Sequence, residues 1–247
     1  MRKIILLIVL ILLPFTTFSF QGANVTLLQG TVKDKTGNPV GTDLKFISSN
    51  TKSFSLKSNS KDGSYQQPLV QGEKYYPIFK GYILENGFES FELAIVGKYN
   101  EGRRDFIVKP FEPNMMIAAK KLFKDGDTVL SQDAIEFLKI FKSFFILNKN
   151  LIFRVSISAP DVAFKQSSKK ISVKSRGKST TKIIKVPAQD VEEEFIQARI
   201  NQLSQALKEL EMPLTVINFE KKIKSNPSKI ISNSNDFELY IKEIKNL

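Results

Sequence analysis

From Val25 to Val108 the chain sets apolar and polar positions in short alternating runs, each closed by a turn signal. Val25 to Val32 is rich in β-formers, Leu44-Lys-Phe-Ile47 and Phe54-Ser-Leu56 alternate, and Tyr75-Tyr-Pro-Ile-Phe79, Phe88 to Val96 and Phe106 to Val108 follow. Lys35-Thr-Gly-Asn-Pro39, Lys61-Asp-Gly63 and Gln71-Gly-Glu-Lys74 punctuate them. Period-two runs roughly 8–12 residues apart, with no helical stretch among them, predict an antiparallel β-sandwich. The pattern changes after Pro110-Phe-Glu-Pro113, where two prolines in four residues predict a stiff connector over 111–113.

Beyond the prolines, strand and helix periods are mixed. Asn114 to Phe123 is a strand candidate. Ser131 can cap a helix whose apolar face holds Ile135, Leu138, Ile140, Phe141, Phe144 and Phe145, and Asn148-Lys-Asn150 ends it. Leu151, Phe153, Val155 and Ile157 alternate as a half-buried strand. A long helix spans 191–211, and Pro213-Leu-Thr-Val-Ile-Asn-Phe219 and Phe237-Glu-Leu-Tyr-Ile-Lys242 read as the last two strands. On the long helix, Phe195, Ile196, Ile200, Leu203, Leu207 and Leu210 fill one arc, and Arg199 falls inside it. A guanidinium does not give up its charge and is rarely buried alone. The position therefore calls for an anion, supplied either by this protein or by a ligand.

Between 162 and 188 the pattern gives way to charge. Lys165, Lys169, Lys170, Lys174, Arg176, Lys178, Lys182 and Lys185 occur with no acidic residue among them. The stretch reads either as a solvated loop or as an exposed hairpin from Lys170 to Val186. In the functional reading it is an electrostatic arm for an anionic surface. Asp190, Glu192, Glu193 and Glu194 then favour the N-terminus of the long helix and balance the basic stretch.

Composition narrows the chemistry. The 247 residues contain no cysteine and no histidine. That excludes disulfides, a lipid-acceptor cysteine, Ser-His-Asp and Cys-His catalysis and His-ligated zinc. No Asp-x-Asp-x-Asp-Gly calcium loop and no nucleophile motif is present. The expectation is a non-enzyme with no metal and no cofactor. At the N-terminus, Arg2 and Lys3 precede an apolar run from Ile4 to Phe15, with small residues at Thr17 and Ser19. Residues 1–22 read as a signal peptide, the alternative being a single N-terminal anchor. With the signal removed the chain keeps 35 basic and 25 acidic residues, a net +10. An exported, basic, cysteine-free chain points to the periplasm, to an anionic neighbour there, and away from nucleic acid and from any transmembrane span after cleavage.

Two resemblances sharpen this reading. Gly30-Thr-Val-Lys-Asp34, Gly37-Asn-Pro-Val40, Ser58-Asn-Ser-Lys-Asp-Gly-Ser-Tyr65 and Pro68-Leu-Val-Gln-Gly-Glu-Lys-Tyr75 resemble the carboxypeptidase regulatory-like domain, a transthyretin-like sandwich. That resemblance implies a non-catalytic module over 23–110. Lys121-Leu-Phe-Lys-Asp-Gly-Asp-Thr-Val-Leu-Ser131, Leu151 to Asp161 and Phe195-Ile-Gln-Ala-Arg-Ile200 resemble the OmpA-like, peptidoglycan-associating domain. It implies an α+β chain whose residues 114–247 run β-α-β-α-β-β, with 162–188 as an insertion. It also implies that Asp161 and Arg199 grip the ammonium and carboxylate of the diaminopimelate in a peptidoglycan stem peptide. Ser158, Ala159 and Pro160 stand where that family has Gly, His and Thr, and Glu192 and Ile196 replace its Asn and Ser. The implied protein is an outer-membrane-associated cell-envelope component that binds peptidoglycan and holds an envelope partner. The alternative keeps the same fold without the ligand, as a structural or adaptor subunit, with Asp161 and Arg199 as an internal salt bridge.

Overall fold

The computed structural model describes residues 24–50, 52–175, 178–231 and 234–245. The expected signal peptide lies outside the described residues. Among the described residues nine strands precede Phe111: β1 (Val25–Asp34), β2 (Asp43–Ser48), β3 (Ser53–Lys57), β4 (Ser64–Val70), β5 (Lys74–Phe79), β6 (Tyr82–Leu84), β7 (Phe91–Glu92), β8 (Asn100–Arg103) and β9 (Phe106–Pro110). One sheet runs β4-β1-β9-β6 with β8 also against β1, and the other runs β3-β2-β5-β7. Leu28, Val32, Phe46, Tyr75, Phe79 and Phe106 are buried between them. The turns follow the residues that mark them. Gly63 has φ +74°, and a Cβ there would stand 2.3 Å from the Val32 carbonyl oxygen, so only glycine fits. Asp34 accepts hydrogen bonds from Thr36 and Asn38. Those donors hold its carboxyl down at about 2.

The β2–β5 sheet is buried on both sides. In β2, Phe46 faces the sandwich interior, while Ile47 joins a second core with Ile78 and Ile83. That second core belongs to the rest of the chain: β10 (Met116–Lys120), α1 (Gln132–Leu147), β11 (Leu151–Ile157), β12 (Ser167–Ser175), β13 (Lys178–Val186), α2 (Ala188–Glu209), a 3-10 turn at Leu214–Val216, β14 (Ile217–Lys221) and β15 (Phe237–Ile244). Ser131 caps α1 by accepting from the Ala134 N–H at 3.1 Å. The sheet order is β10-β15-β11-β14, with β15 antiparallel to β10 and β11, and β14 parallel to β11. β12 and β13 form a separate two-stranded ribbon.

Residues 111–113, expected as a stiff spacer, carry a packing side chain. Phe111 meets Phe144 of α1 with ring centroids 5.6 Å apart, and Phe88 meets the same ring at 5.0 Å. Asn148 adds a polar clasp. It is 1% exposed, its amide donates to the Phe79 and Phe144 carbonyls at 3.1 Å, and its Oδ1 accepts from the Gly81 N–H at 2.8 Å. Asn148→Ala removes the buried hydrogen bonds to the Phe79 and Phe144 carbonyls together with the half-buried one from Gly81, so a loss of about 2 kcal/mol in urea unfolding is expected. A shift below about 0.5 kcal/mol would mean the clasp is idle.

The expected fold class, an antiparallel sandwich followed by a β-α-β-α-β-β OmpA-like unit, is corrected by this architecture. Strand makes up 42% and helix 19% of the described residues, the helix residing mainly in α1 and α2. The protein is a mostly-β molecule of several sheets. In the sandwich, β1 runs parallel to β8 and to β9, so that sheet is mixed. In the second part, the insertion is itself a sheet, and the order reads β-α-β-β-β-α-β-β. Period and turn chemistry locate strands, but strand direction depends on which distant segment pairs, and no local signal encodes that.

Candidate functional site: a buried guanidinium and its acidic partners

The site forms where the end of β11, the turn after β10 and the middle of α2 converge. Ala159 and Pro160 are buried and turn the chain out of β11, which places Asp161 at the rim. Lys124-Asp-Gly126 turns beside it, with Gly126 at φ +68°. Arg199 comes up from α2 with no exposed surface, and it is among the largest fully buried side chains of the protein.

Its guanidinium is satisfied by the protein. Nε donates to the Asp127 carbonyl at 2.9 Å, Nη1 to the Ser158 carbonyl at 2.8 Å and Nη2 to Asp161 Oδ2 at 2.9 Å. The rings of Phe123 and Phe195 lie 4.8 and 4.9 Å from its central carbon. A second carboxylate, Asp236, stands with Oδ2 3.9 Å from Nη1 and is 1% exposed. Asp236 also accepts the N–H groups of Leu122 at 2.7 Å and Phe123 at 3.1 Å, which fixes the segment after β10 that carries Phe123. Burial raises the Asp236 carboxyl above its usual range, outweighing those two donors and the Arg199 charge.

Asp161 behaves in the opposite sense. Burial pushes its carboxyl up, but the Arg199 hydrogen bond, the Gly126 N–H at 2.7 Å and the Arg199 charge together hold it below the ordinary 3.8. Its other oxygen, Oδ1, is buried with no hydrogen-bond partner. A depressed folded-state value means that the unfolded chain binds the proton more readily. The stabilisation is therefore complete above pH 3.8 and is lost as pH falls through the folded value. Asp161→Asn is expected to flatten the acid limb of unfolding free energy against pH below about pH 4. An unchanged limb would show that Asp161 is not the group that carries it.

Two neighbours extend the charge cluster. Glu192, expected to favour the start of α2 and balance the basic stretch, has no exposed surface. Its Oε1 accepts from the Lys224 N–H at 3.2 Å, while Oε2 has no partner. The Lys224 ammonium donates to the carbonyls of Val162 and Lys229 and lies 5.1 Å from the Phe164 ring, and burial lowers its pKa. Glu193 and Glu194 point outward and pair with Lys221 at 2.8 Å and Lys169 at 3.1 Å.

The two residues singled out in the sequence, Asp161 and Arg199, are thus in direct contact. The basic residues are not part of that contact. Lys165, Lys169, Lys170, Lys182 and Lys185 are exposed, Lys169 and onward lie on the β12–β13 ribbon, and Arg176 lies outside the described residues. Only the backbone is described for Lys174 and Lys178. A groove of about 560 Å³ beside the site is lined by Ser158, Pro160, Lys222, Lys224, Ile231 and Asn235, among others, and neither Arg199 nor Asp161 lines it. Sequence reading did not single out Asp236, Phe123 or Lys224. An aspartate in a Ser/Asn-rich turn carries no local mark of burial, and it is the long-range pairing of β15 with β10 that buries Asp236.

No protein-family profile matches the chain, and no curated protein matches it in sequence. Among solved structures it has similarity to a C-terminal fragment of the pilus adhesin SpaC from Lactobacillus rhamnosus GG, at 11% identity and TM-score 0.27 over 36% of this chain and 47% of that one. It is also similar to a streptococcal ancillary pilin, at 8% identity and TM-score 0.28 over 67% and 48%. The Bacillus anthracis TIE protein matches at 13% identity and TM-score 0.27 over 66% and 26%. The chain spans less than half the length of each, and similarities this distant assign neither fold nor function.

Proposed function

We propose that this protein is an exported, non-enzymatic cell-envelope component that works as a structural or adaptor subunit. The observation that carries this reading is the closure of Arg199 from within. A guanidinium with no exposed surface, bonded to two carbonyls and a carboxylate of its own chain, is arranged as a strut. The core shared between the sandwich and the second part supports the same reading, because it makes one stiff body suited to transmitting load or spacing partners. Export rests on the charge and apolarity of residues 1–22, and the absence of histidine and cysteine supports a role without catalysis. Affinity purification from the envelope fraction tests the proposal: a stoichiometric partner protein should co-purify, and Arg199→Leu should lose it only in proportion to lost folding.

A second reading, peptidoglycan association through Asp161 and Arg199, is favoured by one atom. Asp161 Oδ1 is a buried acceptor without a hydrogen-bond partner, on a side chain that remains 12% exposed at the rim, and an ammonium admitted there would supply the missing bond. Sedimentation with purified sacculi separates the two readings. Binding that is lost in Asp161→Asn with folding intact favours the wall polymer, and absence of sedimentation favours the adaptor.

A further inference from the structure

The β12–β13 ribbon stands apart from both cores, paired only with itself. Its register sets Lys170 opposite Ile183, Ser168 opposite Lys185 and Ser172 opposite Thr181 on one face. Ser167 and Val186, Lys169 and Ile184, and Ile171 and Lys182 share the other. The two faces differ in their surroundings. On the second, Ile171, Ile184 and Val186 are half-buried and Lys169 reaches Glu194 of α2, so this face turns toward the protein. On the first, Lys170, Lys185, Ser168, Ser172 and Thr181 are all exposed, and Ile183 is 63% exposed. The base of the ribbon is pinned: Phe164 is 5% exposed, packs on Phe195 at 5.4 Å, and its N–H donates to the Pro227 carbonyl at 2.9 Å.

We propose that the outward face of this ribbon docks on an anionic phospholipid bilayer, with Lys170 and Lys185 at the headgroups and Ile183 inserted between them. Three physical points select that occupant. Residues 162–188 hold eight cations and no acid, so the partner is anionic. Lysines along both strands oppose addition of another strand, so the partner is not a sheet edge. A soluble polyanion would be satisfied by the lysines alone. An isoleucine left in water between two lysines gains only where an apolar layer lies beneath the charged one, as in a bilayer. A two-stranded ribbon is marginal in water by itself, so a surface that buries one face would also steady it.

The chain has no tryptophan, so Ile183→Trp gives a clean reporter at an already exposed position. Circular dichroism verifies that the variant folds as the parent does. With phosphatidylcholine vesicles containing phosphatidylglycerol, at low salt, its emission is expected to shift to the blue. Pure phosphatidylcholine vesicles, or high salt, should abolish the shift. In vesicle sedimentation, Lys170→Gln/Lys185→Gln should weaken partitioning about 25-fold, at roughly fivefold per lysine near an anionic surface. Unchanged emission with anionic vesicles overturns the proposal, as does sedimentation indifferent to the two lysines. Binding to soluble dextran sulfate that excludes the vesicles and leaves the tryptophan in water reassigns the face to a polymer. The ribbon lies outside the Asp161–Arg199 contact, so this result stands or falls independently of the adaptor reading.

Discussion

Arg199→Leu is expected to destabilise the fold by about 3–5 kcal/mol. Leucine keeps an apolar stem on the buried arc but does not reach the place of the guanidinium between Phe123 and Phe195. What is lost is the cation. Asp161 and Asp236 then face each other's charge without compensation, and the carbonyls of Asp127 and Ser158 lose their donor. Leaving a buried charge unpaired is costlier than never having formed the pair. Arg199→Lys keeps the charge but cannot present the fork to three acceptors, so an intermediate loss is expected. Urea unfolding of the two variants measures this. A loss under about 1 kcal/mol for the leucine variant would end the view of Arg199 as a strut.

Asp236→Ala is expected to be nearly as severe, at about 2–3 kcal/mol, and to leave a local signature. The carboxylate holds the N–H groups of Leu122 and Phe123, and alanine leaves both buried and unpaired. Against this, burial already penalises the ionised Asp236, which offsets part of the loss. Hydrogen exchange distinguishes the mechanism from general loosening. The amides of Leu122 and Phe123 should lose protection beyond the drop in global stability. Asp236→Asn keeps an acceptor and should restore part of it. If both amides track the global value in the alanine variant, the carboxylate is not what anchors the segment after β10.

Much of the local structure was legible. The Ser131 cap, the end of α1 at Asn148 and the alternation of β11 all appear where period and capping chemistry put them. So does the helix that carries Arg199, because an apolar stripe at helical spacing has few other solutions. The strand expected from Pro213 to Phe219 shows how boundaries slip. Its first half is a 3-10 turn, and pairing with β11 begins only at Ile217. The expected class failed where direction and layering mattered. Nothing local tells β1 that β8 and β9 will run parallel to it, whereas the hairpin offered as one reading of 170–186 is present as the β12–β13 ribbon, starting three residues earlier at Ser167.

The amino-acid sequence by itself determined that a permanent cation lies on the buried arc of α2, that the basic charge is concentrated between 162 and 188, and that no histidine or cysteine chemistry is available. These are properties of residue type and spacing, which survive any arrangement of the distant parts. Only the tertiary structure decided that Asp161, Asp236 and two backbone carbonyls surround that cation, and that Glu192 is buried while its neighbours Glu193 and Glu194 reach solvent. It also decided that Asn148 and Phe111 fasten one half of the chain to the other. The reason is physical: charge and period are local, whereas the partner of a buried polar group comes from whichever remote segment the packing brings within about 3 Å.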